Sequence, residues 1–115
     1  MVALLLPQPS QAQSPSECNA PQTQQAMNAC AALEYREADA ALNEAWKSAR
    51  AFAKQIGQGD ALLQAQRAWL TYRDQACAVQ ASPYAGGSIQ PMVLNSCLAA
   101  LTDARTIMLR DFKVN

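Results

Sequence analysis

The feature that most restricts the fold is a long run of helical periodicity in the first half of the chain. From Thr23 onward, apolar residues recur every three or four positions, and neither Gly nor Pro interrupts them before Gly57. Thr23 is a suitable N-cap and Gly57 a suitable C-cap. The pattern predicts one amphipathic helix of more than thirty residues. Its apolar face is formed by Met27, Cys30, Ala31, Tyr35, Ala38, Leu42, Ala45, Trp46, Ala49, Phe52, Ala53 and Ile56.

Two further helices follow, each after a segment that breaks the pattern. Asp60 is the expected N-cap of helix two, which we predict from about Ala61 to Ala81. The sequence SPYAGGS, residues 82–88, ends that helix. Helix three begins near Pro91, a residue favoured in a first turn. Its predicted buried residues are Leu94, Leu98, Leu101, Met108, Leu109 and Phe112.

Length and composition favour a single all-α domain. A chain of 115 residues has room for one hydrophobic core, and its many Ala residues suit closely packed helices. Short connections make successive helices antiparallel neighbours. We therefore predict an up-down-up three-helix bundle with a long first helix and two disulfides. Helix two is the shorter, so the first dozen residues of helix one are expected to overhang the bundle.

The four cysteines indicate two disulfides and an oxidising compartment. A metal site would need more closely spaced pairs of cysteines, so no metal is expected. Three connectivities are possible. The helix lengths place Cys77 and Cys97 at similar heights in the bundle and leave Cys30 on the overhang, within reach of Cys18. Pairing of Cys18 with Cys30 and of Cys77 with Cys97 is therefore favoured.

The N-terminal residues 1–17 are predicted to lie outside the folded domain, which we assign to residues 18–115. Val2–Leu6 is too short to span a bilayer. Small residues Ser10 and Ala12 fit positions −3 and −1 of a cleavage site, and a Gln/Ser/Pro-rich segment follows. We interpret residues 1–17 as a signal-peptide remnant and a disordered segment, and expect a periplasmic or secreted protein.

Charge and composition argue against several classes of function. Nine basic and nine acidic residues cancel, so the sequence predicts no electrostatic attraction to nucleic acid or to an anionic membrane. Because Val2–Leu6 is too short to span a bilayer, no stable membrane insertion is expected either. The chain contains no histidine, which removes the commonest general base. We therefore expect a protein that is not an enzyme and that needs no cofactor.

Two arginines fall on stripes that ought to be buried. Arg73 shares its helix face with Trp69 and Cys77, and Arg105 shares one with Leu98 and Leu101. In the predicted register, Arg73 donates hydrogen bonds to Asp39 and Asn43, and Arg105 lies near Trp46, Trp69 or Gln66. The favoured interpretation is a structural polar network formed by Asp39, Asn43, Arg73 and Arg105. The alternative is a groove in which Asp39, Arg73 and Arg105 bind a ligand.

The segment between helices two and three is the candidate binding loop. Loops with an adaptable backbone often carry recognition, although a Gly-Gly turn between helices needs no ligand. The residues of interest are Tyr84, Gly86, Gly87, Ser88 and Ile89.

Three stretches of the sequence resemble a known family. They are TQQAMNACAALEYREADAALNEAW, LLQAQRAWLTYRDQAC and YAGGSIQPMVLNSCLAALTDAR. Together with the four cysteines they are similar to the LprI-type lysozyme-inhibitor domain of bacterial secreted proteins and lipoproteins, over about residues 18–110. One departure is Trp46, which stands where Tyr is expected in this family.

The resemblance implies an all-helical, disulfide-linked domain exported from a Gram-negative cell. It also implies a protein partner, lysozyme, which the chain would inhibit by steric occlusion. The candidate contacts are the loop Tyr84–Ile89, inserted into the enzyme's cleft, or the face of helix one that bears Glu34, Glu37 and Glu44. The alternative function is a cell-envelope helical module that binds a small ligand or a protein through Asp39, Arg73 and Arg105.

Overall fold

The computed structural model describes residues 18–112, which form three α-helices and one short 3₁₀ turn. Helix α1 is Gln24–Gln55, α2 is Gly59–Ala81, the 3₁₀ turn is Ser82–Tyr84 and α3 is Gln90–Phe112. The predicted all-α architecture with a long first helix is confirmed. The predicted signal-peptide remnant, residues 1–17, lies outside the described residues.

Local capping explains where α1 begins and ends. The Thr23 hydroxyl accepts a hydrogen bond from the backbone N–H of Ala26 at 3.0 Å, as expected for an N-cap. At the other end, Gly57 adopts a φ of 75°, a conformation that favours glycine. The N–H of Gln58 donates to the carbonyl of Ala53 at 2.7 Å, which completes a Schellman motif.

The prediction that Asp60 caps helix two is wrong. The cap position is Gln58, whose carbonyl accepts from Leu62 N–H at 2.9 Å, and Asp60 lies inside the first turn. The cause is the tightness of the preceding turn, because Gln58 both ends the Schellman motif and starts the next helix. Asp60 still lies where a negative charge interacts favourably with the helix dipole.

The helix directions are those of an up-down-up bundle. Helices α1 and α3 run in the same direction, since Gln24 contacts Met92 at one end and the rings of Phe52 and Phe112 meet at the other, with centroids 5.3 Å apart. Helix α2 runs the opposite way, because its Cys77 is bonded to Cys97 near the start of α3. The predicted topology is therefore confirmed.

The core depends on small residues between α1 and α3. These two helices share the most extensive contact in the bundle, and the inward face of α1 consists mainly of alanine. Alanine lets two helix backbones approach closely, since interaxial distance depends on the side chains at the contact. Trp46, Leu62, Trp69 and Phe112 then pack around a cluster of buried residues, namely Leu42, Ala45, Ala49 and Leu109.

Both disulfides form as the sequence analysis favoured. Cys18 is bonded to Cys30, and Cys77 to Cys97, each with a Cα–Cα distance of 5.5 Å. Separations of about 4.4–6.8 Å are usual for disulfides. The first bridge ties the segment before α1 to that helix, and the second joins α2 to α3 on either side of the connecting loop.

The start of α1 is not the free overhang that the sequence predicted. Gln24 Nε2 donates to Met92 Sδ at 3.7 Å, and Asn28 Nδ2 donates to the carbonyl oxygen of Ser88 at 2.8 Å. The overhang was predicted only from the difference in length between α1 and α2. Helix α3 and the loop before it extend far enough to contact this part of α1.

Helix α3 is apolar on more than its buried face. Met108 is 59% exposed, so its predicted burial is wrong, whereas Leu109 is buried. Within residues 18–112, α3 is long and apolar enough to cross a membrane by length and composition alone, a test that a helix of a soluble bundle can also pass. Of its most apolar stretch, 28% is buried inside the bundle.

Candidate functional site

The candidate loop Tyr84–Ile89 lies, except for Ile89, in the segment of residues 82–88, which is exposed and hydrogen-bonded. Ala85 N–H donates to the carbonyl of Ser82 at 3.1 Å, and Gly87 N–H donates to that of Tyr84 at 2.9 Å. Gly86 has a φ of 81°, a conformation that residues with a Cβ rarely adopt. These turns fix the path of the backbone while the side chains remain at the surface.

The predicted binding residues divide into two groups. Tyr84, Gly86, Gly87 and Ser88 are exposed, and Tyr84 is 43% exposed. Ile89 is half-buried, and its carbonyl accepts from the N–H groups of Met92 and Val93. Ile89 thus serves as the start of α3, and the first four residues form the accessible part of the loop.

Two contacts hold the loop against the rest of the bundle. The Cys77–Cys97 disulfide joins the helices on either side of it. Asn28 donates to the Ser88 carbonyl, and Gln24 donates to Asn28 Oδ1 at 2.8 Å. Neither Asn28 nor Gln24 was predicted from the sequence to contact the loop. A single sequence offers no signal for them, because polar residues near a helix start are ordinarily solvated.

Arg73 lies in the middle of the bundle and is only 7% exposed. Its Nε and NH2 nitrogens donate to Asp74 Oδ1 at 3.0 and 2.8 Å, and NH1 donates to Thr102 Oγ1 at 3.3 Å. The guanidinium carbon lies 5.4 Å from the centroid of the Tyr35 ring and 5.3 Å from that of the Trp69 ring. Such short distances to aromatic rings are typical of cation–π contacts.

The predicted hydrogen bonds from Arg73 to Asp39 and Asn43 are wrong. All three nitrogens of Arg73 donate to other acceptors, Asn43 is exposed, and Asp39 is half-buried. The acceptor Asp74 is the next residue in the sequence. Because neighbours in a helix point in different directions, spacing rules disfavour such a pair, and only the long reach of arginine permits it.

Arg105 lies beside two of its three predicted neighbours, Gln66 and Trp69. Its Nε donates to Gln66 Oε1 at 2.8 Å, and its guanidinium carbon lies 5.8 Å from the centroid of the Trp69 ring. Burial lowers the pKa of the Arg105 guanidinium from its ordinary value, because desolvation disfavours the charged form. Trp69 therefore contacts Arg73 of its own helix, which is buried, and Arg105 of α3, which is half-buried.

This arrangement favours the structural interpretation of the arginines. A ligand-binding arginine would present its guanidinium to an open groove, whereas Arg73 is 7% exposed and each of its three nitrogens donates a hydrogen bond within the bundle. Within residues 18–112, no cluster of three or more Cys, Asp or Glu residues is arranged to hold a metal ion. The exposed loop is therefore the stronger candidate for binding a partner.

Comparison with known proteins gives two matches. Residues 16–109 match the sequence model of a family described as Lysozyme inhibitor LprI. An uncharacterized protein of Rhizobium meliloti (strain 1021) is 38% identical over 116 aligned residues, which cover 90% of this chain and 84% of that protein. No solved structure matches the chain.

Proposed function

The chain belongs to the Lysozyme inhibitor LprI family, and from this membership we propose that it is an exported protein that binds and inhibits lysozyme-type muramidases. The inhibition is steric: the loop of residues 82–88 enters the substrate cleft and excludes the polysaccharide. Occlusion requires no chemical step, which suits a chain without histidine and a family described as inhibitors.

The observation that carries this proposal is the exposed loop held in one conformation. Binding costs less conformational entropy when the contact residues are already fixed, and rigid aromatic side chains are common at the centres of interfaces. Tyr84 is exposed on a backbone held by the turn hydrogen bonds and by Asn28. The cleft of a glycoside hydrolase contains carboxyl groups, to which the hydroxyls of Tyr84 and Ser88 can donate.

The proposed location is the periplasm or the exterior of a Gram-negative cell. Both disulfides form within a single small domain, and such bridges persist in oxidising compartments. Protein recovered from a periplasmic fraction should therefore contain no titratable thiol before reduction.

The test is a peptidoglycan turnover assay with a panel of lysozymes and the purified oxidised protein. We expect the parent to inhibit at least one enzyme and Tyr84→Ala to raise its inhibition constant about tenfold or more, since an aromatic at the centre of an interface often contributes about 2 kcal/mol. Tyr72→Ala is the matched control, because Tyr72 is 61% exposed on α2 and lies outside the loop.

Two results would count against the proposal. Failure of the parent to inhibit any enzyme in the panel would contradict the function itself. Equal inhibition by Tyr84→Ala and Tyr72→Ala, with both variants folded by circular dichroism, would contradict the assignment to the loop.

A further inference from the structure

A groove runs along the surface at the end of the bundle where the loop lies. One part is a depression of about 450 Å³ between the start of α1 and the start of α3, bordered by the Cys18–Cys30 disulfide. A second part of about 390 Å³ continues along α3 past Cys97. Met92 and Ser96 line both parts, so the two depressions adjoin each other.

The floor of the groove is apolar and adaptable. Met27, Leu33 and Met92 line the first part, and Val93 and Leu101 line the second. Methionine side chains are flexible and polarisable, and they are frequent at surfaces that accept apolar groups of different shapes. The groove can therefore receive an apolar anchor without demanding one particular side chain.

One wall of the groove is negatively charged. Glu34 and Glu37 both line it, three positions apart on α1, so their carboxylates share a helix face. Neither forms an ion pair with any residue of the described chain, whereas Glu44, further along the same helix, pairs with Lys47 at 3.3 Å. Two like charges beside an apolar floor favour a ligand that brings a cation.

We propose that this groove docks a surface segment of the target enzyme in which an apolar side chain stands beside a Lys or Arg. The apolar group lies on the methionine floor and the cation lies between Glu34 and Glu37. This inference rests on the proposed function, because the segment belongs to the inhibited lysozyme and binds next to the cleft that the loop occupies.

The geometry joins the groove and the loop into one interface. Asn28 follows Met27 of the groove and donates to Ser88 of the loop, and Met92 lies in the first turn of α3 directly after it. Other occupants fit less well. Anionic lipid headgroups would be repelled by the two carboxylates, and a small ligand would remain largely uncovered in a groove this open.

The experiment compares a charge-reversal pair with a matched control. Glu34→Lys/Glu37→Lys reverses the charge of the wall, and Asp103→Lys/Asp111→Lys makes the same change in net charge at two exposed positions of α3 outside the lining of the groove. Affinity for an inhibited lysozyme is measured by calorimetry at low and high salt. We expect the pair to weaken binding by about tenfold or more and to flatten its salt dependence, and the control to change it by less than about threefold.

The outcomes separate the groove from the proposed function. If the parent inhibits lysozyme and the charge-reversed pair binds as the parent does, the groove proposal is overturned and the function stands. If the parent neither binds nor inhibits, the function fails. The groove is then tested with a synthetic helical peptide carrying Leu and Arg one turn apart. Binding by the parent that is lost in the pair supports the groove, and no binding by the parent overturns it.

Discussion

At the scale of single residues, Arg73 shows what a helical pattern can and cannot predict. Its position on the stripe of Trp69 and Cys77 indicated burial, and it is buried. Its partners were missed because the predicted register placed Asn43 opposite it, whereas the ring beside it is Tyr35, about two helical turns away along α1. The predicted register assumed that α1 and α2 pack against each other as a symmetric hairpin. Helix α1 packs mainly on α3 instead, so the residues of α1 that lie opposite Arg73 differ from those predicted.

We predict that Arg73→Lys lowers the free energy of unfolding by about 1–2 kcal/mol. Lysine cannot reproduce the planar fork that bonds Asp74 and Thr102 or the contacts with the two rings, and each lost hydrogen bond is worth about 1 kcal/mol. Urea denaturation of the oxidised protein measures the change. Arg67→Lys, an exposed position on the same helix, should alter stability by less than about 0.5 kcal/mol. Equal stability of the two variants would contradict a structural role.

At the scale of helices, the ends were more predictable than the contacts. Thr23 and Gly57 act through backbone groups within a few residues, so a local sequence signal identifies them. The contact between the start of α1 and the loop involves Asn28 and Ser88, which are 60 positions apart. No local pattern in a sequence predicts a contact between residues so far apart. The groove beside Met92 was not predicted for the same reason, because its lining residues come from distant parts of the chain.

The close approach of α1 and α3 gives a prediction about alanine. Ala49 is fully buried in the core cluster, so Ala49→Leu must displace a neighbouring helix or adopt a strained rotamer. We expect a loss of about 1–3 kcal/mol in unfolding free energy. Ala51→Leu, on the exposed face two positions away, makes the same chemical change and should be nearly neutral. Thermal denaturation of both variants measures the difference. Equal melting temperatures would mean that the α1–α3 contact tolerates larger side chains.

At the scale of the whole molecule, the two ends of the bundle are held by different forces. Near the Gly57 turn, the rings of Phe52 and Phe112 pack edge to face. At the other end the disulfides border the groove, and much of the nearby surface is exposed or half-buried. The sequence predicted both bridges because helix lengths determine which cysteines lie at similar heights. It did not predict the groove, which depends on how α3 packs against the start of α1.

Because the disulfides lie at one end of the bundle, reducing them should loosen that end more than the other. The Cys77–Cys97 bridge spans 20 positions, and closing such a loop is worth about 3 kcal/mol through the entropy of the unfolded chain. Amide hydrogen exchange of reduced and alkylated protein should therefore accelerate about tenfold or more around Cys30 and Cys97. Amides around Ala49 and Leu109, which lie in the core cluster, should retain most of their protection.

The matched control acts on the other end of the bundle. Phe112→Ala removes one ring of the aromatic pair and leaves both disulfides intact, so it should loosen the end near Gly57 and leave the groove end protected. The two perturbations should then give opposite profiles along α3. A uniform loss of protection in both samples would mean that the bundle opens only as a single cooperative unit. In that case the loop and the groove would depend on the aromatic end for their rigidity as much as on the disulfides beside them.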